Sequence, residues 1–195
     1  MKKIYIILTH TGTLLSKIIR KWTKDEFTHV SIALDEDLNQ MYSFGRLHPY
    51  NPFWGGFVKE GIHTGTFKRF KKTEAFIYSL DITQEQYIMI KNEIKRIEEH
   101  KAEYYFNILG LLAVGFHKKI QPKHSFYCAE FVKYILESGD ISTDLPIIVR
   151  PQNFKDIKNY TVVYKGKLRK YNREKKREYI MKCIEMCTKK KKEAI

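Results

Sequence analysis

Hydrophobic and polar residues alternate along several short stretches of the chain, a pattern that predicts β-strands. The clearest stretch is 27–34, "FTHVSIAL". Its two faces carry Val30, Ile32 and Leu34, and His29, Ser31 and Ala33. The turn "DEDLN" and the stretch 40–46, "QMYSFGR", follow it and predict a hairpin. Further strands are predicted at 3–9, 74–82 and 160–168.

A period near 3.6 residues predicts helices at 13–23, 83–101 and 126–138, with Thr83 as an N-cap and Gly139 as a stop. Residues 47–65, rich in Pro, Gly and aromatic residues, are predicted to form a long ordered loop that shapes a site. The order of elements predicts an α+β fold, in which an antiparallel sheet packs against helices. We expect one domain over 1–168 and a basic helical tail over 169–195.

The charge belongs mainly to that tail. The chain of 195 residues has a net charge of +14, and from Lys165 onward 13 Lys and Arg stand against four Glu. Such a tail is typical of contact with an anionic membrane or nucleic acid, or of a solvated helix that keeps a protein soluble. The composition, 43% hydrophobic and 30% charged, excludes a disordered chain.

The apolar runs and the cysteines of the sequence indicate the cellular compartment in which the protein is expected. The run Ile4 to Leu8 is too short for the core of a signal peptide, and the run 106–116 is too short to span a bilayer. Cys128, Cys183 and Cys187 form no disulfide framework, and free thiols indicate a reducing compartment. We therefore expect a cytoplasmic protein, with peripheral membrane contact through the basic tail.

Cys128 is the first candidate for chemistry. Ser125 is predicted to cap the helix at 126–138, so Cys128 falls in the first turn. The partial positive charge there favours a thiolate, and free backbone amides can stabilise an oxyanion. The alternative is a buried structural thiol, because Cys128 shares a helical stripe with Phe131 and Val132.

His29 favours the catalytic alternative. Its strand face otherwise shows only Ser31 and Ala33, whose small side chains would let the Cys128 helix approach. An imidazole there could take the thiol proton and return it to a leaving group. Ser43, on the returning strand of the hairpin, is the predicted third residue that orients the ring. His48, Glu60 and His63 remain as alternatives for that role.

Metal and cofactor sites have no support in the sequence. The seven histidines show neither HxxxH nor HExxH spacing. The chain also lacks a Walker A sequence and GxGxxG. We therefore expect neither a metal nor a cofactor.

Five segments together resemble a known family: "FTHVSIAL", "YSFGR…NPFWGGFV", "AEYYFNILGLL", "FYCAEFVKYIL" and "RPQNF". Their order is similar to that of circularly permuted papain-fold enzymes, the YiiX-like branch of the NlpC superfamily, which is distantly similar to lecithin retinol acyltransferase. The resemblance covers roughly 27–154 with the first strand and helix. His29 precedes Cys128, as the permuted order requires.

The resemblance implies a cysteine hydrolase or acyltransferase that acts on an amide, peptide or ester bond of a small-molecule, peptide, cell-wall-related or lipid-linked substrate. Cys128 would be the nucleophile and His29 the general base. The family often has a carboxylate or another polar side chain on the strand after the His, and Ser43 departs from the carboxylate. The residues expected around the substrate are Tyr104, Trp54, Phe57 and Tyr127, together with Phe53 and Leu111.

Two other functions stay open. The first is a non-catalytic lipid- or ligand-binding protein on the same fold, motivated by the weak third residue. The second is a nucleic-acid-binding protein, motivated by the basic tail and the 13 Tyr and 12 Phe. The second is disfavoured because no recognised nucleic-acid motif occurs.

Overall fold

The computed structural model describes residues 1–12, 14–48, 51–172 and 181, which form an α+β fold. The strands are β1 (Lys2–His10), β2 (His29–Ala33), β3 (Met41–His48), β4 (Asn51–Glu60), β5 (Glu74–Ile82), β6 (Tyr105–Phe106), β7 (Ser125–Phe126) and β8 (Tyr160–Lys167). The α-helices are α1 (Leu14–Thr23), α2 (Gly65–Arg69), α3 (Gln84–Glu99), α4 (Ile108–Val114) and α5 (Cys128–Ser138). Short 3₁₀ turns span Lys101–Glu103, Pro151–Asp156 and Leu168–Lys170.

Six strands form one antiparallel sheet in the order β4-β3-β2-β1-β5-β8. The predicted hairpin of β2 and β3 and the predicted strand at 74–82 are confirmed. β6 and β7 make a separate short parallel pair.

The prediction of a long loop at 47–65 is wrong, because most of it is the edge strand β4. The ladder between β3 and β4 runs from Met41–Glu60 to His48–Asn51. An edge strand tolerates the Pro and Gly that made this stretch look like a loop, since one side of its backbone needs no partner. Gly55 is required by packing: a Cβ there would lie 2.7 Å from the Gly45 carbonyl oxygen and 2.8 Å from Phe106.

Helices α3 and α5 cover one face of the sheet. Ile90, Ile94 and Ile97 of α3 and Phe131, Val132 and Ile135 of α5 are buried against the strands. As predicted, Thr83 caps α3: its hydroxyl accepts a hydrogen bond from the backbone N–H of Gln86 at 3.1 Å. The side chains of Val30 and Ile32 belong to this core.

The second face of the sheet carries a smaller core, which includes Phe67, Leu168 and Tyr171. Tyr171 is 1% exposed, and its hydroxyl donates to the Glu36 carbonyl at 2.7 Å. The packed domain therefore continues past the predicted boundary at residue 168. Most of the predicted basic tail, with Cys183 and Cys187, lies outside the described residues.

The start of α5 differs from the prediction. Its N-cap is Tyr127, and Ser125 lies in β7, where its hydroxyl donates to the Pro122 carbonyl at 2.6 Å. Cys128 is nevertheless the first residue of the helix, and α5 ends before Gly139 as expected.

Across the part of the chain described here, every helix is too short or too polar to cross a bilayer.

Candidate functional site

The candidate site lies where β2 and β3 separate. Their ladder pairs only Ile32 with Tyr42 and Ala33 with Met41, and it stops before His29, the first residue of β2. Val30 and Ile32 face α5. His29 alternates with them and therefore belongs to the opposite face, near the Phe67 ring at 6.3 Å between centroids.

The Cys128 sulfur helps to raise the pKa of the His29 ring, and both residues line one cavity. The pairing was predicted, but the expected route, in which the helix packs on the His29 face, is wrong. Helix α5 packs on the other face, and Cys128 and His29 line the same cavity beside the opening between the strands. Cys128 is 6% exposed, and the site is reached through that cavity.

Glu60 is the side chain that holds His29. His29 Nε2–H donates to Glu60 Oε1 at 2.9 Å, and the Ser31 hydroxyl donates to Glu60 Oε2. The side chains of His29 and Glu60 are 19% and 11% exposed, so water screens this contact weakly. Because Nε2 faces Glu60, Nδ1 is the ring nitrogen left for the sulfur of Cys128.

The expectation that Ser43 orients the imidazole is corrected. Ser43 is fully buried, and its hydroxyl donates to the Val30 carbonyl at 2.9 Å. Ser43 and Gly45 lie on β3 between the strands of His29 and Glu60, and a Cβ on Gly45 would sit 3.8 Å from His29 Cε1. These small residues leave space for the ring and the carboxylate to meet across β3. Of the alternatives, His63 is exposed, and the side chain of His48 lies outside the described parts.

The electrostatics of the site favour a charged imidazole. Burial by itself would lower the pKa of His29, but the Glu60 carboxylate and the Cys128 sulfur outweigh it and raise this pKa to about 10. At neutral pH the ring therefore carries both protons, with Nε2–H donated to Glu60 and Nδ1–H available to the sulfur. A neighbouring imidazolium stabilises the thiolate form of a cysteine, which is the nucleophilic form.

A cavity of about 290 Å³ opens onto Cys128 and His29. One part of its wall is apolar and is formed by Phe44, Leu47, Val58, Phe67, Phe106 and Leu111. Another part is formed by the hydroxyl-bearing residues Thr11, Ser16, Thr28, Thr64 and Thr66. An apolar lining with a few polar groups is typical of a small-molecule site.

The residues expected to bind substrate are mostly elsewhere. Leu111 lines the cavity, but Phe57, Tyr104 and Tyr127 do not. Phe57 packs edge-on against Phe131, with 5.9 Å between ring centroids. The side chains of Phe53 and Trp54 lie outside the described parts of the chain.

The two tyrosines have structural surroundings. Tyr104 stacks on His124 at 5.3 Å between centroids. The Tyr127 hydroxyl donates to the Val149 carbonyl at 2.8 Å, and Tyr127 is 3% exposed. Burial, followed by the charges of Glu130 and Cys128, raises the pKa of Tyr127, so its hydroxyl stays protonated.

A hydrogen-bonded group on the cavity wall was missed by sequence reasoning. The Ser16 hydroxyl lies 3.0 Å from His10 Nδ1 and 2.7 Å from the Thr28 hydroxyl. Arg20 donates to His10 Nε2 at 3.4 Å. Burial, then Arg20 and Lys17, lowers the pKa of His10, so this second histidine is neutral where His29 is charged. No residue spacing in the sequence signals the group, because helix α1 and strand β1 bring it together.

Within the described residues, no group of three or more His, Cys, Asp or Glu side chains could hold a metal ion. No protein-family model, curated protein or solved structure matches this chain.

Proposed function

We propose that the protein is a cysteine hydrolase or acyltransferase acting on an amide or ester bond. The observation that carries the proposal is the linked set of Cys128, His29 and Glu60 at the wall of a cavity. A nucleophile, a base and a residue that orients the base are the three parts that covalent acyl transfer needs.

In the first step the Cys128 thiolate attacks the carbonyl carbon of the substrate and forms a C–S bond. The carbonyl π electrons move to oxygen, and the helix N-terminus at Cys128 favours that negative charge. The tetrahedral species collapses when the bond from carbon to the leaving nitrogen or oxygen breaks. His29 Nδ1–H gives its proton to that leaving atom, and a thioester remains on Cys128.

In the second step the neutral His29 ring takes a proton from water or from an amine or alcohol acceptor. The deprotonated oxygen or nitrogen attacks the thioester carbon, and the C–S bond breaks. The product acid, amide or ester leaves, and the imidazolium and thiolate are restored. Glu60 keeps the ring orientation through both steps and stabilises its charged form.

The resemblance to a permuted papain-like fold supports the same proposal. The antiparallel sheet carries His29 at the start of β2, and the cysteine begins a helix packed on that sheet. Glu60 supplies the carboxylate that orients the ring, although it lies on β4 and not on β3, the strand that directly follows the His29 strand. The same carboxylate removes the reason for favouring a non-catalytic binding protein, which was a weak third residue.

The test uses activated esters. Wild-type protein is incubated with p-nitrophenyl esters of increasing acyl length, and nitrophenol release and intact mass are followed. We expect an acyl adduct on Cys128 that is absent in Cys128→Ala and strongly reduced in His29→Ala. The control is Cys183→Ser/Cys187→Ser, which keeps Cys128 and should keep the adduct.

A complementary test titrates the reaction of Cys128 with iodoacetamide against pH, in wild type and His29→Ala. Reactivity that depends on His29 supports the proposal. A thiol that is inert in the folded protein, or that reacts equally well without His29, would overturn it.

A further inference from the structure

Helix α4 and the turn after it expose an unusual apolar surface. Leu109 is 61% exposed and Leu112 is 43% exposed, and their spacing of three residues places them on one side of the helix. Phe116, in the turn just after the helix, is 68% exposed. Gly110, Ala113 and Val114 are buried on the other side. Ile120, a few residues beyond the helix, is 43% exposed as well. Large apolar side chains exposed this close together along the chain are typical of an interaction site.

The charged side chains that follow these apolar residues in the sequence are basic. Lys118, Lys119 and Lys123 are exposed directly after the apolar side chains, together with His117 and His124. Between Glu103 and Glu130 the sequence contains no acidic residue. We call Leu109, Leu112, Phe116, Ile120 and the three lysines the α4 surface.

We propose that the α4 surface docks on an anionic lipid bilayer. Exposed Leu and Phe can enter the boundary between headgroups and acyl chains, while neighbouring lysines meet anionic phosphates. A second copy of the chain fits less well, since a two-fold contact would place lysines against lysines. A nucleic acid would satisfy the lysines but would offer little apolar surface to the exposed Leu and Phe side chains.

The α4 surface is continuous with the cavity. Leu111, on the same helix, and Phe106, just before it, line the cavity of Cys128. Docking would therefore bring the cavity wall to the membrane, and an acyl group carried by a lipid could reach the sulfur along apolar side chains. This extension to a lipid substrate rests on the proposed function, whereas the docking itself does not.

Docking is tested by co-sedimentation with vesicles of phosphatidylcholine, with and without about 30% phosphatidylglycerol. The background is Cys128→Ala, so the result does not depend on catalysis. We expect Leu109→Ser/Phe116→Ser to weaken binding to the anionic vesicles by roughly tenfold or more. We expect Lys118→Gln/Lys119→Gln to weaken it and to reduce its dependence on salt.

The matched control is Val162→Ser. Val162 is 54% exposed but lies on β8, at one edge of the sheet. The α4 surface follows β6, which contacts β4 at the opposite edge. This control should bind as the unsubstituted background does. Phe116→Trp gives a readout that needs no loss of binding: on vesicles with brominated lipids its fluorescence should be quenched beyond that of the two native tryptophans.

Three outcomes would overturn the proposal. Equal binding of Leu109→Ser/Phe116→Ser and the background would assign membrane contact to the basic tail. Unquenched Phe116→Trp fluorescence on bound protein would show that the surface stays in water. Concentration-dependent self-association lost in the same variants would assign the surface to a second copy.

The lipid-substrate extension has its own test. Leu109→Ser/Phe116→Ser, with Cys128 intact, should lose hydrolysis of a vesicle-borne ester and keep hydrolysis of a soluble ester. If this variant kept hydrolysis of both esters, the extension to a lipid substrate would be contradicted and the proposed function would stand. No hydrolysis of either ester by wild type would count against the proposed function alone.

Discussion

His29 Nε2 donates a hydrogen bond to Glu60 Oε1 at 2.9 Å, although strand β3 runs between the strands that carry them. The carboxylate reaches the ring over Ser43 and Gly45, the smallest side chains available on that face of β3. This contact does two things: it fixes the orientation of the ring, and its charge helps to keep the ring protonated.

The first prediction concerns that charge. Glu60→Gln keeps a hydrogen-bond acceptor but removes the carboxylate, so the pKa of His29 should fall from about 10. An NMR titration of the His29 ring protons, assigned by their loss in His29→Ala, measures the change. The control is Glu98→Gln, since Glu98 is an exposed carboxylate that contacts Lys59. An unchanged pKa of His29 in Glu60→Gln would show that Glu60 does not set the protonation of the site.

The second prediction follows by linkage. The pKa of His29 is raised from 6.5 to about 10 in the folded protein. The protonated His29 ring therefore adds to the free energy of unfolding. This contribution is fully present below pH 6.5 and is lost as the pH rises toward 10. The difference in stability between wild type and Glu60→Gln should be largest near pH 6 and should narrow toward pH 10. Urea unfolding across this range checks it, and a difference that grows with pH would contradict it.

The third prediction concerns the space that Gly45 of β3 leaves beside the His29 ring. Gly45→Ala adds a Cβ 3.8 Å from His29 Cε1, an ordinary contact, whereas the branched side chain in Gly45→Val would displace the ring. We expect the rate of Cys128 alkylation to fall by roughly tenfold to a hundredfold in Gly45→Val and to change little in Gly45→Ala. Mass spectrometry of the Cys128 peptide measures the rate, and a thermal unfolding curve shows whether each variant is folded. Equal rates in both variants would mean that the ring does not need this space.

Local patterns in the sequence predicted much of the fold. Alternation at 27–34 gave a strand that places His29 opposite Val30 and Ile32, and Thr83 marked the start of α3. Cys128 was predicted correctly as a residue of the first helical turn, even though the N-cap is Tyr127 rather than Ser125. These features depend on neighbours within one element, and such neighbours can be read from spacing.

Features that depend on distant contacts were not predictable in the same way. Glu60 lies 31 positions after His29 and two strands away, so it remained one of three alternatives. The stretch that contains it resembled a loop because β4 is an edge strand that tolerates Pro and Gly. The face on which α5 packs could not be known either, since the opening between β2 and β3 lets Cys128 reach His29 from the other side.

A buried hydrogen-bond network joins α4 to the start of the Cys128 helix. The Asn107 side-chain oxygen accepts from the Gly110 N–H at 2.8 Å, and Nδ2 donates to the Ile120 carbonyl at 2.7 Å and to Glu130 Oε2 at 3.1 Å. Glu130 Oε2 also accepts from the Tyr127 N–H at 3.1 Å. Burial raises the pKa of Glu130, and the donors at Tyr127 and Asn107 oppose that rise.

The fourth prediction is that Asn107→Ala destabilises this junction. The change removes the cap of α4 and one donor to a buried carboxyl group, so we expect a loss of about 2–4 kcal/mol in the free energy of unfolding. Asn39→Ala, at an exposed turn where Asn39 donates to Asp35, is the matched control and should cost about 0.5 kcal/mol or less. Urea unfolding measures both losses. Hydrogen exchange should also show faster exchange of the α4 amides in Asn107→Ala, because α4 loses its cap and its attachment to Glu130. If the two variants lost equal stability and α4 exchanged as in wild type, the network would not be what holds the α4 surface beside the cavity.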